Sequence, residues 1–190
     1  QNNSDVYDAA AEIDGRLLEA RSRLGAWFVV ADELGDVLRE LGDQWESGRV
    51  SIAQEHMCSD TLGRALARVG EALPSRMDGP LCLLACPGEE VHALGLALAE
   101  LCVREAGWTP LWLGPRTPVT EILQLIKGGR MGMVALSASS IQNDEDSLRD
   151  VADSLSAACA EAGTELVLGG AGAWPTELAH GVRATSFTAL

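Results

Sequence analysis

The hydrophobic period of this chain changes once, at PSRMDGP, residues 74–80. Two prolines and a glycine among polar residues mark a linker there. Before it, from Ser4 to about Leu73, apolar residues recur three and four apart, the spacing of amphipathic helices. The stretches at 5–25, 26–48 and 51–73 are separated by glycines, and Ser51 stands where an N-cap is needed. Three or four helices with short connections predict an antiparallel bundle over residues 1–74.

After the linker the pattern alternates. LCLLAC, WTPLWLG, MGMVALSAS and TELVLGG read as strands, and EEVHALGLALAELCVREAG, TPVTEILQLIKGG and DEDSLRDVADSLSAACAEAG read as helices between them. Short strands apolar on both faces, separated by helices, predict an α/β domain over 80–190 with a doubly wound parallel sheet and right-handed crossovers. A fifth strand is expected at ATSF, after a turn or short helix in GAWPTELAHG. Ligands of such sheets bind beyond the carboxyl ends of the strands. The loops CPGEEVHALG, LSASSIQND and LGGAGAW converge there.

Charge and cysteine content narrow the classes. Acidic residues outnumber basic ones 28 to 14, for a net charge of −14, which argues against direct binding to nucleic acid. The five cysteines, at 58, 82, 86, 102 and 159, are odd in number and sit largely in apolar surroundings. Free thiols in a reducing cytoplasm are the expectation. The spacing of Cys82 and Cys86 on a strand does not resemble a zinc knuckle. No charged-then-apolar leader opens the chain, and no apolar run approaches the roughly 20 residues that cross a bilayer. A soluble, cytoplasmic protein is expected.

His92 falls just after the first strand, with Glu90 two residues before it and Gly95 three after. A carboxylate that engages one imidazole nitrogen orients the other toward a metal. The same residues also suit a surface histidine on a first helical turn, with Glu89 and Glu90 favourably placed at the helix N-terminus. Spacing alone leaves both readings open.

Glu90, His92 and Gly95 form E-x-H-x-x-G, which resembles the D/E-x-H-x-x-G signature of cobalamin-binding domains on a flavodoxin- or Rossmann-like fold. The resemblance implies that His92 is the lower cobalt ligand and that the displaced nucleotide tail enters a slot beside the sheet. It places Ser137 and Gly169–Gly170 along that slot, with Ser139 at a position usually held by leucine. Glycines at 95, 169 and 170 would let backbone approach a bulky nucleotide closely.

Upstream, Trp45, nine intervening residues and Glu55–His56 resemble the W-x9-E-H motif of light-sensing cobalamin-dependent regulators of the CarH type. That resemblance implies a helical cap over the corrin, with Trp45, Ile52, Glu55 and His56 around an upper adenosyl group. It departs from the family at Glu46, where those regulators carry a histidine that binds cobalt after illumination, and nothing basic resembling their DNA-binding domain precedes Ser4. The implied function is sensory and non-enzymatic: light breaks the cobalt–carbon bond of adenosylcobalamin, and the cap shifts. The output would be a homo-oligomer or a partner output domain acting on transcription. Some relatives add a bilin-binding region, so a bilin in a second site is a further expectation.

Two rivals stand beside this reading. One is a corrinoid carrier of a methyltransferase system, with the same two-part build; the other is a flavodoxin-like module without cobalt. Outside the motifs, Trp108 and Trp112 read as core, Trp174 as core or packed over the tail, and His180 as a surface or lid residue.

Overall fold

The computed structural model describes residues 3–74, 78–141 and 144–190, with the side chains of residues 3–11 and 46 left out. The centre of the expected linker, positions 142–143 of the loop after the third strand and the side chain of Glu46 therefore lie outside the described residues.

Three helices come first: α1 (Asn3–Leu24), α2 (Trp27–Glu46) and α3 (Ile52–Ala72). Ser51 caps α3 in a reciprocal box, its hydroxyl accepting from the Gln54 N–H at 3.3 Å while the Gln54 side chain accepts from the Ser51 N–H at 3.0 Å. Then follow β1 (Leu81–Pro87), α4 (Leu94–Glu105), β2 (Thr109–Thr117), α5 (Val119–Lys127), β3 (Met131–Ser137), α6 (Glu145–Ala162), β4 (Glu165–Gly169) and β5 (Val182–Arg183). The sheet is parallel throughout, in the order β2-β1-β3-β4-β5.

The wholly apolar strands are explained by a core on each face of the sheet. Leu83, Ala85, Val134, Leu136, Leu166 and Leu168 point to one side, against Ile122 and Ile126 of α5 and Leu155 of α6. Their neighbours Cys82, Leu84, Cys86, Met133, Ala135 and Val167 point to the other, against Leu96 and Val103 of α4. The alternation is the period-2 geometry of a strand. Helix α4 is itself covered twice, because Leu98, Leu101 and Cys102 on its outer side join Leu17, Trp27, Val30, Leu66 and Val69 of the bundle. That double burial explains why LGLALAELCV is apolar all round, and it makes α4 the fourth helix of the bundle.

Two cross-links fasten the bundle. Glu105, at the end of α4, accepts the Trp27 backbone N–H at 2.7 Å and pairs with Arg21 at 2.5 Å, so it caps α2 where no local side chain does. Asp32 of α2 accepts from the C-terminal 3-10 turn Phe187–Ala189.

The structure corrects several expectations. Helix α4 begins at Leu94 rather than at Glu89, because the intervening backbone is tied to side chains described below. The fifth strand lies at Val182–Arg183 rather than at 184–187, since Asp32 draws Phe187 and Thr188 into the C-terminal turn instead. Residues 170–181 contain no helix. Trp112 is exposed on the edge strand β2, and Trp174 is core, its Nε1 donating to the Gly169 carbonyl at 2.9 Å. His180 anchors its loop: its ring meets the Thr164 carbonyl at 2.8 Å and its N–H donates to Ser156 at 2.7 Å. All five cysteines are free, four buried and Cys58 exposed.

Candidate functional site

In the order β2-β1-β3-β4-β5 the connections run in opposite directions on the two sides of β1. The crevice at the ends of β1 and β3 is therefore the topological switch point, where such sheets bind ligands. His92 follows β1 and Ser139 follows β3, so the two loops carrying the motif residues flank that crevice.

Glu90 organises both loops. It is 2% exposed, and one carboxylate oxygen accepts from the His92 N–H at 2.7 Å and from His92 Nδ1 at 2.8 Å. The other accepts from the Ser139 N–H at 2.6 Å and the Ser139 hydroxyl at 2.7 Å. These bonds hold residues 90–93 out of the helix and explain the late start of α4. Burial raises the Glu90 carboxyl pKa, but the hydrogen bonds from Ser139 and His92 outweigh it and hold the group below its ordinary value. An ionised carboxylate only accepts, so the proton shared with His92 belongs to Nδ1. Nε2 has no hydrogen-bond partner among the described residues, and the side chain is 48% exposed, so Nε2 is the nitrogen left to offer a lone pair.

Ser139 thus does something the usual leucine could not: it ties the loop after β3 to the carboxylate that orients His92. Arg116, which sequence reasoning passed over, steadies the other side. Its N–H donates to the Glu90 carbonyl at 2.8 Å from a left-handed backbone at φ 54°, a conformation most residues avoid.

The remaining motif residues gather beneath. Ser137 is buried and its hydroxyl has no partner among the described residues; a Cβ on Gly95 would come within 3.1 Å of that oxygen. Gly170, at φ 82°, packs so tightly that a Cβ would run into the Ala138 carbonyl oxygen. Its glycine is required by the protein's own loops, whatever the ligand. Gly169 has ordinary clearance, 3.6 Å to the nearest atom. Arg183, a second residue without a sequence signal, donates to the Gly170 carbonyl at 2.6 Å and holds that loop against β5.

Above the crevice lies half a helix. Gly63 faces Leu94 and Gly70 faces Leu101 at 3.5 and 3.4 Å from a Cβ position, so α3 and α4 run parallel in step, seven residues for seven. Since α4 starts at Leu94 and α3 at Ile52, the first half of α3 projects roughly 16 Å beyond α4. The buried residues of α3, Ala65, Leu66, Val69 and Gly70, all lie in its second half. The overhang carries Ile52, 62% exposed, together with Glu55 and His56. Glu55 contacts His56 Nδ1 at 2.7 Å and accepts from the Ser59 hydroxyl at 2.6 Å. Burial raises its pKa, but the bonds from Ser59 and His56 and the charges of His56 and His92 bring it below its ordinary value. Trp45, half-buried, ends α2 just before the turn into α3. Among the described residues none of Trp45, Ile52, Glu55 and His56 hydrogen-bonds to the rim.

Residues 9–69 match the family model described as B12 binding domain. In sequence the chain is 33% identical over 115 residues to the HTH-type transcriptional repressor CarH of Myxococcus xanthus, and 33% identical over 137 residues to CarA of the same organism. The chain resembles the CarH and CarA cobalamin-binding regulators. These alignments cover 60% and 72% of this chain but 38% and 45% of the repressors, so it spans less than half the length of either. The fold is that of the Methanosarcina barkeri monomethylamine corrinoid protein, with a TM-score of 0.65 at 15% identity, covering 99% of this chain and 96% of that one.

The residues fit a corrinoid. No group of three His, Cys, Asp or Glu that could hold a metal ion occurs among the described residues. One oriented imidazole suits a metal whose equatorial positions a macrocycle already fills. The residues that carry the CarH-like resemblance fall in two layers, Glu90–His92–Ser139 on the rim and Glu55–His56 on the overhang.

Proposed function

We propose that this chain is a sensory module that binds adenosylcobalamin between the rim of its sheet and the overhanging half of α3, and that it signals rather than catalyses. The observation that carries the reading is His92, its Nδ1 held by a buried carboxylate and its Nε2 free at the switch point of a parallel sheet. His92 would hold cobalt from below. Ser137, Gly95 and the Gly169–Gly170 turn would take the nucleotide tail, with the Ser137 hydroxyl as donor. Trp45, Ile52, Glu55 and His56 would enclose the upper group and exclude water from it.

When bound, the cofactor supplies a cobalt–carbon bond that visible light breaks. The chain's part is to hold the upper group in place and to respond to its loss. Because Glu105 and Asp32 pin α2 at its start, the response concentrates at the opposite end, from Trp45 through the first half of α3. The similarity to two transcriptional repressors supports a regulatory output, delivered through a second copy or a partner domain. The shared fold of a corrinoid protein is equally compatible with methyl transport, and the polar Glu55–His56 lining favours the sensor.

The test is the absorbance of the purified chain with adenosylcobalamin, in the dark and after illumination. We expect a base-off spectrum that changes irreversibly with light, and loss of the base-off form in His92→Ala. A spectrum identical to that of the free cofactor sinks the cobalamin reading; bound cofactor that is indifferent to light, or preferred as the methyl form, favours a carrier.

A further inference from the structure

Both carbonyls of the Gly169–Gly170 turn are held by side chains. The Gly169 carbonyl accepts from Trp174 Nε1 at 2.9 Å and from the Ala138 N–H at 3.3 Å. The Gly170 carbonyl accepts from Arg183 Nη2 at 2.6 Å. The amide ends of the same two peptide groups are free. Neither the Gly170 N–H nor the Ala171 N–H has a hydrogen-bond partner among the described residues, and both residues are exposed. Successive free N–H groups in a turn, here with Gly170 at φ 82°, form the kind of concavity that binds anions. A bond accepted at a carbonyl also strengthens the N–H of its peptide group as a donor, and a cationic partner does so most.

Arg183 has a charge that bracing the turn does not require. Its guanidinium is partly buried and donates to three backbone carbonyls, of Leu168 at 3.1 Å, Ala184 at 2.5 Å and Gly170 at 2.6 Å. In a chain with 28 acidic residues, no carboxylate pairs with it among the described residues. Burial lowers its pKa, the mark of a cation whose lost hydration no anion makes up. Beside the same turn, Ser137 is 8% exposed with its hydroxyl unbonded, and that oxygen lies 3.0 Å from a Cβ position on Gly170. An unpaired cation, an unbonded hydroxyl and two free N–H groups thus meet at one turn. All of them suit a ligand that carries negative charge.

The nucleotide tail of cobalamin carries a phosphodiester. We propose, on the reading that cobalamin fills the crevice, that the Gly170 and Ala171 N–H groups take this phosphodiester, and that Arg183, acting through the Gly170 carbonyl, is the positioning residue that makes the site select corrinoids bearing a tail. The guanidinium fixes the direction of the turn's peptide groups and strengthens them as donors. A corrinoid without the tail gains nothing from it.

The experiment titrates the 190-residue chain in the dark with adenosylcobalamin and with adenosylcobinamide, which lacks the nucleotide tail, and follows absorbance. We expect wild type to bind adenosylcobalamin the more tightly. Arg183→Met should weaken that binding about tenfold and leave adenosylcobinamide within about twofold, with faster hydrogen exchange at residues 170–172 of the apo chain. Arg183→Lys keeps the charge but not the planar fork. Its preference should lie between the two, and it carries the comparison if Arg183→Met does not fold. A purely structural brace would lower both affinities alike. Equal losses for the two corrinoids, or none for either, overturn the proposal and leave the cobalamin reading intact. Wild type that binds adenosylcobinamide as tightly as adenosylcobalamin, or binds neither, overturns both.

Discussion

Asp32, in the second turn of α2, accepts a hydrogen bond from the hydroxyl of Thr188, two residues before Leu190, at 2.6 Å. The same carboxylate accepts the backbone N–H groups of Phe187 and Thr188 at 2.5 and 3.2 Å. An acid of the bundle therefore terminates the α/β half, and the side chains of Phe187 and Leu190 complete the bundle core. Asp32→Ala should release this turn at a cost of about 1–3 kcal/mol. Hydrogen exchange should quicken at residues 184–190 while the spectrum of bound cobalamin stays the same; unchanged exchange there would show that apolar packing alone holds the turn.

Glu90 links site geometry to pH. Its folded pKa lies below the ordinary 4.5, so its stabilisation is fully present above that value and is lost as pH falls through the folded pKa. Unfolding by denaturant from pH 7 to pH 3 should show a fall below about 4.5 that is shallower in Glu90→Gln. At pH 7 that variant should be destabilised by about 1–3 kcal/mol, since charge-assisted bonds are replaced by weaker ones. Equal pH slopes in the two proteins would remove Glu90 from this role.

The two adjacent glycines after β4 should respond differently. Gly170→Ala puts a Cβ into the Ala138 carbonyl at a positive φ, and we expect a loss of roughly 2–3 kcal/mol. Gly169→Ala meets ordinary clearance and should cost much less. Thermal melting of the apo forms compares them, and similar losses would mean that the turn adapts.

Thiol reactivity should single out one cysteine. Burial pushes Cys82, Cys86 and Cys102 up to about 12 and Cys159 to about 11, and thiolates are the reactive form. Alkylation of the native chain followed by mass spectrometry should label Cys58 rapidly and the other four only on unfolding. Rapid labelling of Cys86, one residue before the end of β1, would reveal an opening of the rim.

How much of this was legible in the sequence depended on how local each cause was. E-x-H-x-x-G placed Glu90 and His92 at the rim, because a carboxylate two residues from an imidazole can reach it whatever lies beyond. The use of Ser139 was not legible: it stands 49 positions from Glu90 in sequence, and only the parallel pairing of β1 with β3 makes them neighbours. Arg116 and Arg183 carried no signal, since each acts by holding another residue's backbone. Trp112 misled because an apolar run does not say which strand is the edge.

The sequence by itself determined the order and kind of the elements, through a period that shifts from helical to strand-like at residues 74–80, and it placed the motif residues at strand ends and helix starts. Tertiary structure alone decided that α4 is shared by both cores, that α3 outruns it by half its length, and that the chain's last residues close on α2. Those outcomes depend on which apolar faces meet and in what register, a property of pairs of surfaces that no single stretch of residues contains.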